Sequence, residues 1–259
     1  MTAAATSPAR GRARLAGDLF VLAFLGLWSL YSLTVEAYTM PGPWLVAKRL
    51  WQFLTDVHEV KHMLFSFAHI IAAVVLSCLI GSALAFLGHY LGMFRLMVFG
   101  RLNPFLNSFS GIGWTFIAII WFGIGDQTVI FVICMVLIPF AVINMAEGLA
   151  NLDSEMVEMA RSFTRSRWRS FYKVILPLLY PFIFATIRIS FGVAWKVTLT
   201  AELFGGNTGM GYLINLARTD FDMPLIFTVI AIIIAFVYST DRFIFAPLQA
   251  RLARHHGAG

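Results

Sequence analysis

Six stretches of this 259-residue chain are nearly free of charge over the length that crosses a bilayer: roughly 16–36, 63–88, 103–122, 127–147, 178–201 and 223–246. A helix needs about 20 mostly apolar residues to traverse the hydrocarbon core, so this pattern predicts six transmembrane helices. The segment 44–62, WLVAKRLWQFLTDVHEVKH, differs from them: Trp44, Leu45, Trp51 and Leu54 alternate with charged positions. That periodicity predicts an amphipathic helix lying in the membrane interface. In the second predicted span Ser77, Gly81 and Ala85 recur every four residues, a spacing that lets helix backbones approach closely. No internal repeat or low-complexity segment interrupts the pattern, and the expected fold class is an all-α polytopic membrane protein.

Composition sharpens this reading. The chain is 59% hydrophobic and 12% charged, with a mean hydropathy of +0.81, whereas soluble domains carry about 25% charged residues. The net charge of +6 and pI near 9.6 would by themselves suit a nucleic-acid binder, but their distribution argues for topology. With both ends on one side, that side holds twelve basic residues: Arg10, Arg12, Arg14, Arg95, Arg101, Arg161, Arg165, Arg167, Arg169, Lys173, Arg251 and Arg254. The other side holds four, namely Lys48, Arg49, Lys61 and Arg218. Basic loops stay in the cytoplasm, which predicts that both termini are cytoplasmic. The basic start resembles a signal peptide, but the apolar run Leu19–Val35 is long for one and no A-x-A-like cleavage site follows; a retained first helix is expected.

Candidate chemistry is sparse. Cys78 and Cys134 lie within apolar runs and read as small core residues, and no zinc-type Cys/His spacing, nucleophile–base pair or metal cluster is visible. The chain has no G-x-x-x-x-G-K-[ST], so it cannot hydrolyse ATP through a P-loop. No cofactor is expected on this chain, and it is not expected to be an enzyme. Ionisable residues inside spans are costly and mark function when they face the interior; Arg188, Lys196 and Glu202 stand out on the fifth span. Arg188 and Lys196 are eight residues, or about 12 Å, apart on nearly one face, which would suit the path of an anionic solute. The alternative is structural: Arg188 capping interhelical carbonyls, Lys196 neutralising Glu202, and Glu202 anchoring the loop 203–212. Trp114 and Trp121 share a face of the third span, suited to packing or to lining the path, and His69 and Asp18 read as satisfied structural polar groups.

The loop between the fourth and fifth spans holds EMARSFTRSRWRSFYKVILP, residues 158–177, with five of the chain's 19 basic residues. Met156, Met159, Ala160 and Phe163 form one helical face; Trp168, Phe171, Tyr172 and Ile175 form another after the polar break Thr164, Arg165, Ser166, Arg167. The arginines would fix topology and touch lipid headgroups, but two apolar faces with aromatic anchors also suit a docking site for a soluble partner.

Glu158-Met159-Ala160, the small residue Thr164 and Ile175-Leu176-Pro177 resemble the EAA loop of bacterial ABC importer permeases, with Met159 for Ala and Thr164 for Gly. WFGIGD at 121–126 and AWKVTLTAELFGGNTGMGYLI at 194–214 are similar to the nitrate/sulfonate/taurine/bicarbonate-type branch of that family, and the resemblance covers about residues 60–250. It departs at FSGIGWTFI, 109–117, where Ser110, Gly111 and Phe116 stand at positions that the branch gives to proline.

The resemblance implies a type I importer permease of six helices, organised as a basic N-terminus (1–15), a first span with a periplasmic-side interfacial helix (16–62), a five-span core (63–246) with coupling loop 148–177, and a cytoplasmic tail (247–259). It implies that Glu158, Ala160, Phe163, Thr164, Arg165, Ser166, Trp168 and Pro177 couple to the ATPase. Lys196, Arg188 and Glu202, with Trp114 and Ser110, are the candidate path residues. The implied partners are a second permease subunit, expected to be identical, two cytoplasmic ABC ATPase subunits carrying ATP and Mg, an extracytoplasmic solute-binding protein, and membrane lipid; no nucleic acid is expected. The implied setting is the bacterial inner membrane, and the implied solute a small anion such as a sulfonate, taurine, nitrate or carboxylate. A vitamin precursor or aromatic acid is the alternative, and a secondary transporter or intramembrane enzyme a remote one.

Overall fold

The computed structural model describes residues 8–36, 39–152, 169 and 171–249, with side chains from Leu19 onward. All its regular structure is helical, as expected where no water is available to bond backbone N–H and C=O groups. Nine helices follow one another among the described residues: α1 (Pro8–Ser32), α2 (Pro43–Thr55), α3 (Val57–Tyr90), α4 (Gly92–Ser108), α5 (Gly111–Phe122), α6 (Asp126–Ala150), α7 (Phe171–Gly205), α8 (Met210–Thr219) and α9 (Met223–Gln249). Short π-helical stretches lie within α4, at the start of α7 (Phe171–Ile175) and near the end of α9 (Asp241–Phe245).

Four of these helices, α3, α6, α7 and α9, are long and apolar enough to cross a membrane, and α4 with α5 makes a fifth if the bent pair counts as one span. The first predicted span is represented among the described residues by a shorter apolar helix, Leu19–Ser32. Two predicted elements are corrected. The third span, predicted as continuous over 103–122, is broken: α4 and α5 meet at 89° across the extended residues Phe109 and Ser110. The Ser110 hydroxyl accepts from Gly113 N at 3.4 Å. A serine that bonds the backbone ahead of it ends one helix and starts the next, so the chain turns here without the prolines of the related branch. The interfacial helix, predicted over 44–62, stops at Thr55. Asp56 is extended, and its carboxylate accepts from His58 N at 2.8 Å, so residues 57–62 begin α3.

The core forms around α6, the most enclosed of the candidate spans, whose Val129, Val132, Ile133, Leu137 and Ala141 are fully buried. Helix α3 crosses it through the small-residue stripe. Ser77, Gly81 and Ala85 are all buried, and a Cβ on Gly81 would lie 2.4 Å from the Cβ of Ala141. Such close approach replaces the hydrophobic drive that lipid cannot supply between helices. Helix α7 packs on α6 in the same way, with the Phe182 ring 2.7 Å from where a Gly148 Cβ would stand. Helix α2 buries Val46 and Phe53 and is tied to α3 by an Arg49–Glu59 ion pair, with Asp222 3.8 Å from the same guanidinium. The Glu59 hydrogen bond raises the Arg49 pKa above the usual guanidinium value.

Candidate translocation groove and buried anchor

Helix α7 carries two clusters of polar side chains on different faces. The first lines an open groove of about 720 Å³ bounded by Pro181, Phe184, Arg188, Gly192, Lys196 and Asp241. Two turns of helix bring Arg188 and Lys196 to this one surface. Arg188 is tied across the groove to α9: its Nε and Nη2 both donate to Asp241 Oδ1, at 3.0 and 2.8 Å, and its Nη1 donates to Gln249 Oε1. Lys196 is exposed and has no carboxylate within ion-pair distance among the described residues. The groove therefore holds one compensated cation and one uncompensated one.

The second cluster is a buried anchor centred on Glu202, whose side chain is fully enclosed. Glu202 lies six residues beyond Lys196, about 120° away around the helix, and does not reach the groove. The expectation that it lines the path is corrected, as is its pairing with Lys196. Its Oε2 accepts from Ser66 Oγ at 2.8 Å and from Gly211 N at 2.9 Å, and its Oε1 is 2.9 Å from His69 Nδ1. In the tautomer that satisfies an ionised carboxylate, which only accepts, His69 donates through Nδ1. Ser66 in turn accepts from Met210 N at 2.7 Å, and His62 Nδ1 accepts from Gly209 N at 3.1 Å.

These bonds fasten the turn 206–209 and the first residues of α8 to α3. Gly209 sits at φ +100°, and a Cβ there would meet the Glu202 carboxylate; only glycine combines that backbone with that approach. At the rim Thr208 Oγ1 donates to Asp126 Oδ1 at 2.7 Å. His69 Nε2 lies 3.3 Å from the same oxygen, close enough for an ion pair but without hydrogen-bond alignment.

The remaining candidates are dispersed. Trp114 is buried among Phe105, Phe109 and Phe131 and faces neither cluster, while Trp121, seven residues on, is exposed. Ser110 is exposed at the helix break. Pro177 lies inside α7, just after its π-helical turn. Of the described residues of the second loop face, Phe171 packs on Phe86 with ring centroids 5.5 Å apart and Ile175 is buried, so these two serve the core, while Tyr172 is exposed beside Phe171. Glu158, Ala160, Phe163, Thr164, Arg165, Ser166 and Trp168 lie outside the described residues. Sequence reasoning missed Asp241 and Gln249, although an ionisable residue near the end of the predicted span 223–246 was a usable signal. Asp126 and Thr208 lie within the motifs at 121–126 and 194–214, which did not say what they bond, and Ser66 and His62 gave no signal, because their role is created by contacts with a distant turn.

Comparison with known proteins places this arrangement. The probable ABC transporter permease protein BMEII0107 of Brucella melitensis is 31% identical over 222 residues, 83% of this chain and 88% of that protein. The riboflavin transport system permease protein RibX of Chloroflexus aurantiacus is 29% identical, over 75% of this chain and 72% of its own length. The putative aliphatic sulfonates transport permease protein SsuC of Bacillus subtilis is 28% identical, over 81% and 76%. Permeases named for taurine and nitrate match as well. Among solved structures, the MetNI methionine ABC transporter in an inward-facing conformation shares the fold, with a TM-score of 0.58 at 17% identity over 82% of this chain and 96% of the matched chain. The family described as binding-protein-dependent transport system inner membrane component matches residues 79–254, and the chain belongs to it: it is a multi-pass permease subunit of an ABC importer of the nitrate/sulfonate/taurine branch.

Proposed function

We propose that this subunit conducts a small solute bearing an anionic group, of the sulfonate, taurine, nitrate or carboxylate class, along the α7 groove, with Lys196 as its electrostatic contact. The observation that carries this reading is the pairing pattern in the groove, where Arg188 is neutralised by Asp241 and Lys196 is not. An ammonium at that depth facing lipid would be costly, whereas one facing an aqueous groove attracts an anion in a low-dielectric setting. The names of the sulfonate, taurine and nitrate relatives support the same solute class.

In this reading the permease works as a pair of identical subunits with six spans each and both termini in the cytoplasm. A binding protein delivers the solute from outside, and two ATPase subunits, which hold ATP and Mg, dock on the loop containing Glu158 and Trp168. Closure of the ATPases rocks the paired helices and switches access.

The test is import of ethanesulfonate by the complete transporter in proteoliposomes. A hydrogen bond to a charged partner is worth about 1.5–3 kcal/mol, so Lys196→Met should lower import roughly tenfold to a hundredfold, Lys196→Arg much less, with the binding protein's affinity unchanged. Full import by Lys196→Met would reject the reading. The riboflavin relative supports a second one, in which the solute is an uncharged ring system. Riboflavin import that ignores the Lys196 charge would select it.

A further inference from the structure

Within the groove, the Arg188–Asp241 contact has an unusual form. The Nε/Nη2 edge of a guanidinium matches two oxygens of one carboxylate, each taking one N–H. Here both N–H groups converge on a single oxygen, Asp241 Oδ1, while Gln249 Oε1 takes the bond from Nη1. Three of the five guanidinium N–H groups are thus engaged, and the carboxylate gives only one of its two oxygens to them. The pair is also well exposed, with side-chain accessibilities of 32% and 54%, and exposed ion pairs contribute little to stability. Asp241 is the first residue of the π-helical stretch Asp241–Phe245, a local register change of the kind found at functional sites. Lys196 lines the same groove, two helical turns from Arg188 on the same helix.

We propose that Asp241 is an internal surrogate ligand and a specificity-determining residue. Its carboxylate holds the Arg188 fork in anion-binding geometry while the groove is empty. It yields that fork to the two-oxygen edge of an arriving carboxylate or sulfonate, whose charge Lys196 helps to balance. This rests on the anionic-solute reading above and extends it. Anions able to present two oxygens to Arg188 displace Asp241; a halide, with one centre, competes poorly. Because Asp241 neutralises Arg188 in the empty groove, the groove keeps a single net positive charge and rejects solutes unable to compete with a carboxylate.

The test uses the purified full-length permease with Cys78→Ala, Cys134→Ala and a single reporter, Gly192→Cys. Gly192 is exposed between the two cations, and a Cβ there meets nothing within 4 Å. The rate at which sulfonatoethyl methanethiosulfonate modifies the reporter is measured with increasing ethanesulfonate. The expected result is protection by ethanesulfonate but not by chloride, weakened by Lys196→Met. Asp241→Asn should lower the half-protecting concentration roughly two- to fivefold, the value of an exposed ion pair, and this gain should vanish once Arg188→Gln is added. Asp241→Ser serves as the second charge-removing variant should the asparagine variant fail to purify as a folded species.

Protection that depends on Lys196 but is unchanged by Asp241→Asn and Asp241→Ser overturns the surrogate-ligand proposal alone. A gain that persists with Arg188→Gln also overturns it, since a general change of field would then suffice. Absence of protection in every variant, with no dependence on Lys196, overturns the anionic-solute reading itself.

Discussion

Gly209 is pressed so closely against Glu202 that a Cβ on the glycine would lie 2.2 Å from the carboxylate carbon, at a backbone φ of +100°. Any side chain there must push the buried carboxylate off Ser66, His69 and Gly211 N, or else move the turn. Gly209→Ala should therefore cost several kcal/mol, combining backbone strain of about 1–3 kcal/mol with loss of a buried charged hydrogen-bond network. A thermal-unfolding measurement on the detergent-solubilised permease checks this. A melting temperature within a degree or two of the parent would contradict it.

Removing the carboxylate tests the same anchor from its other side. Glu202→Ala leaves the donors of Ser66, His69 and Gly211 without their acceptor, and each buried donor left unsatisfied costs about 1–3 kcal/mol. Glu202→Gln keeps the shape but turns an NH2 group toward one set of donors, so it should recover only part of the loss. Hydrogen exchange at the amides of Met210 and Gly211 should accelerate in both variants. Unchanged protection there would mean that Glu202 does not hold the turn.

Gly81 faces Ala141 with no room for a methyl group, and the obstacle is Ala141 and backbone, not the end of a flexible chain. Gly81→Leu should force α3 and α6 apart and lower the yield of folded permease sharply. Overpacking typically costs about 1–3 kcal/mol, and two packed backbones leave little means of relief. Size-exclusion profiles of the purified variant provide the measurement, and a parent-like profile would refute the claim of close contact.

Orientation is tested by single cysteines in a cysteine-free parent. Leu45→Cys and Asn207→Cys should react with a membrane-impermeant thiol reagent in intact cells, whereas Arg95→Cys, Arg165→Cys and Ala253→Cys should react only after the membrane is opened. Outside labelling at position 165 would invert the topology drawn from the basic residues and remove the coupling loop from the cytoplasm.

For the coupling loop, Glu158→Lys or Trp168→Ala should abolish solute-stimulated ATP hydrolysis by the assembled transporter while leaving the permease inserted and folded. Thr164→Gly, which installs the residue of the resembling family at the bend, should be mild. Normal coupling with both Glu158 and Trp168 changed would show that the ATPase docks elsewhere.

Hydropathy along the chain was enough to determine the helical class and to place the helices containing 127–147 and 223–246 within a few residues, and that containing 178–201 except for the turns 171–177 ahead of it, because a helix satisfies its backbone within itself and a bilayer selects for apolar length alone. Motif spacing likewise carried the family, since WFGIGD, the span-five segment and the 158–177 pattern are each local. The break at Ser110 and the cap at Asp56 were less visible, being set by one or two side chains inside long apolar or amphipathic runs. Side-chain pairing was decided only by tertiary structure. Glu202 is enclosed by Ser66 and His69, 136 and 133 residues away, and Arg188 meets Asp241 across 53 residues. Local periodicity says which face a residue occupies on its own helix, but it carries no information about what the neighbouring helix presents to that face. For that reason Lys196 and Glu202, six residues apart on one helix, ended in an open groove and a sealed anchor.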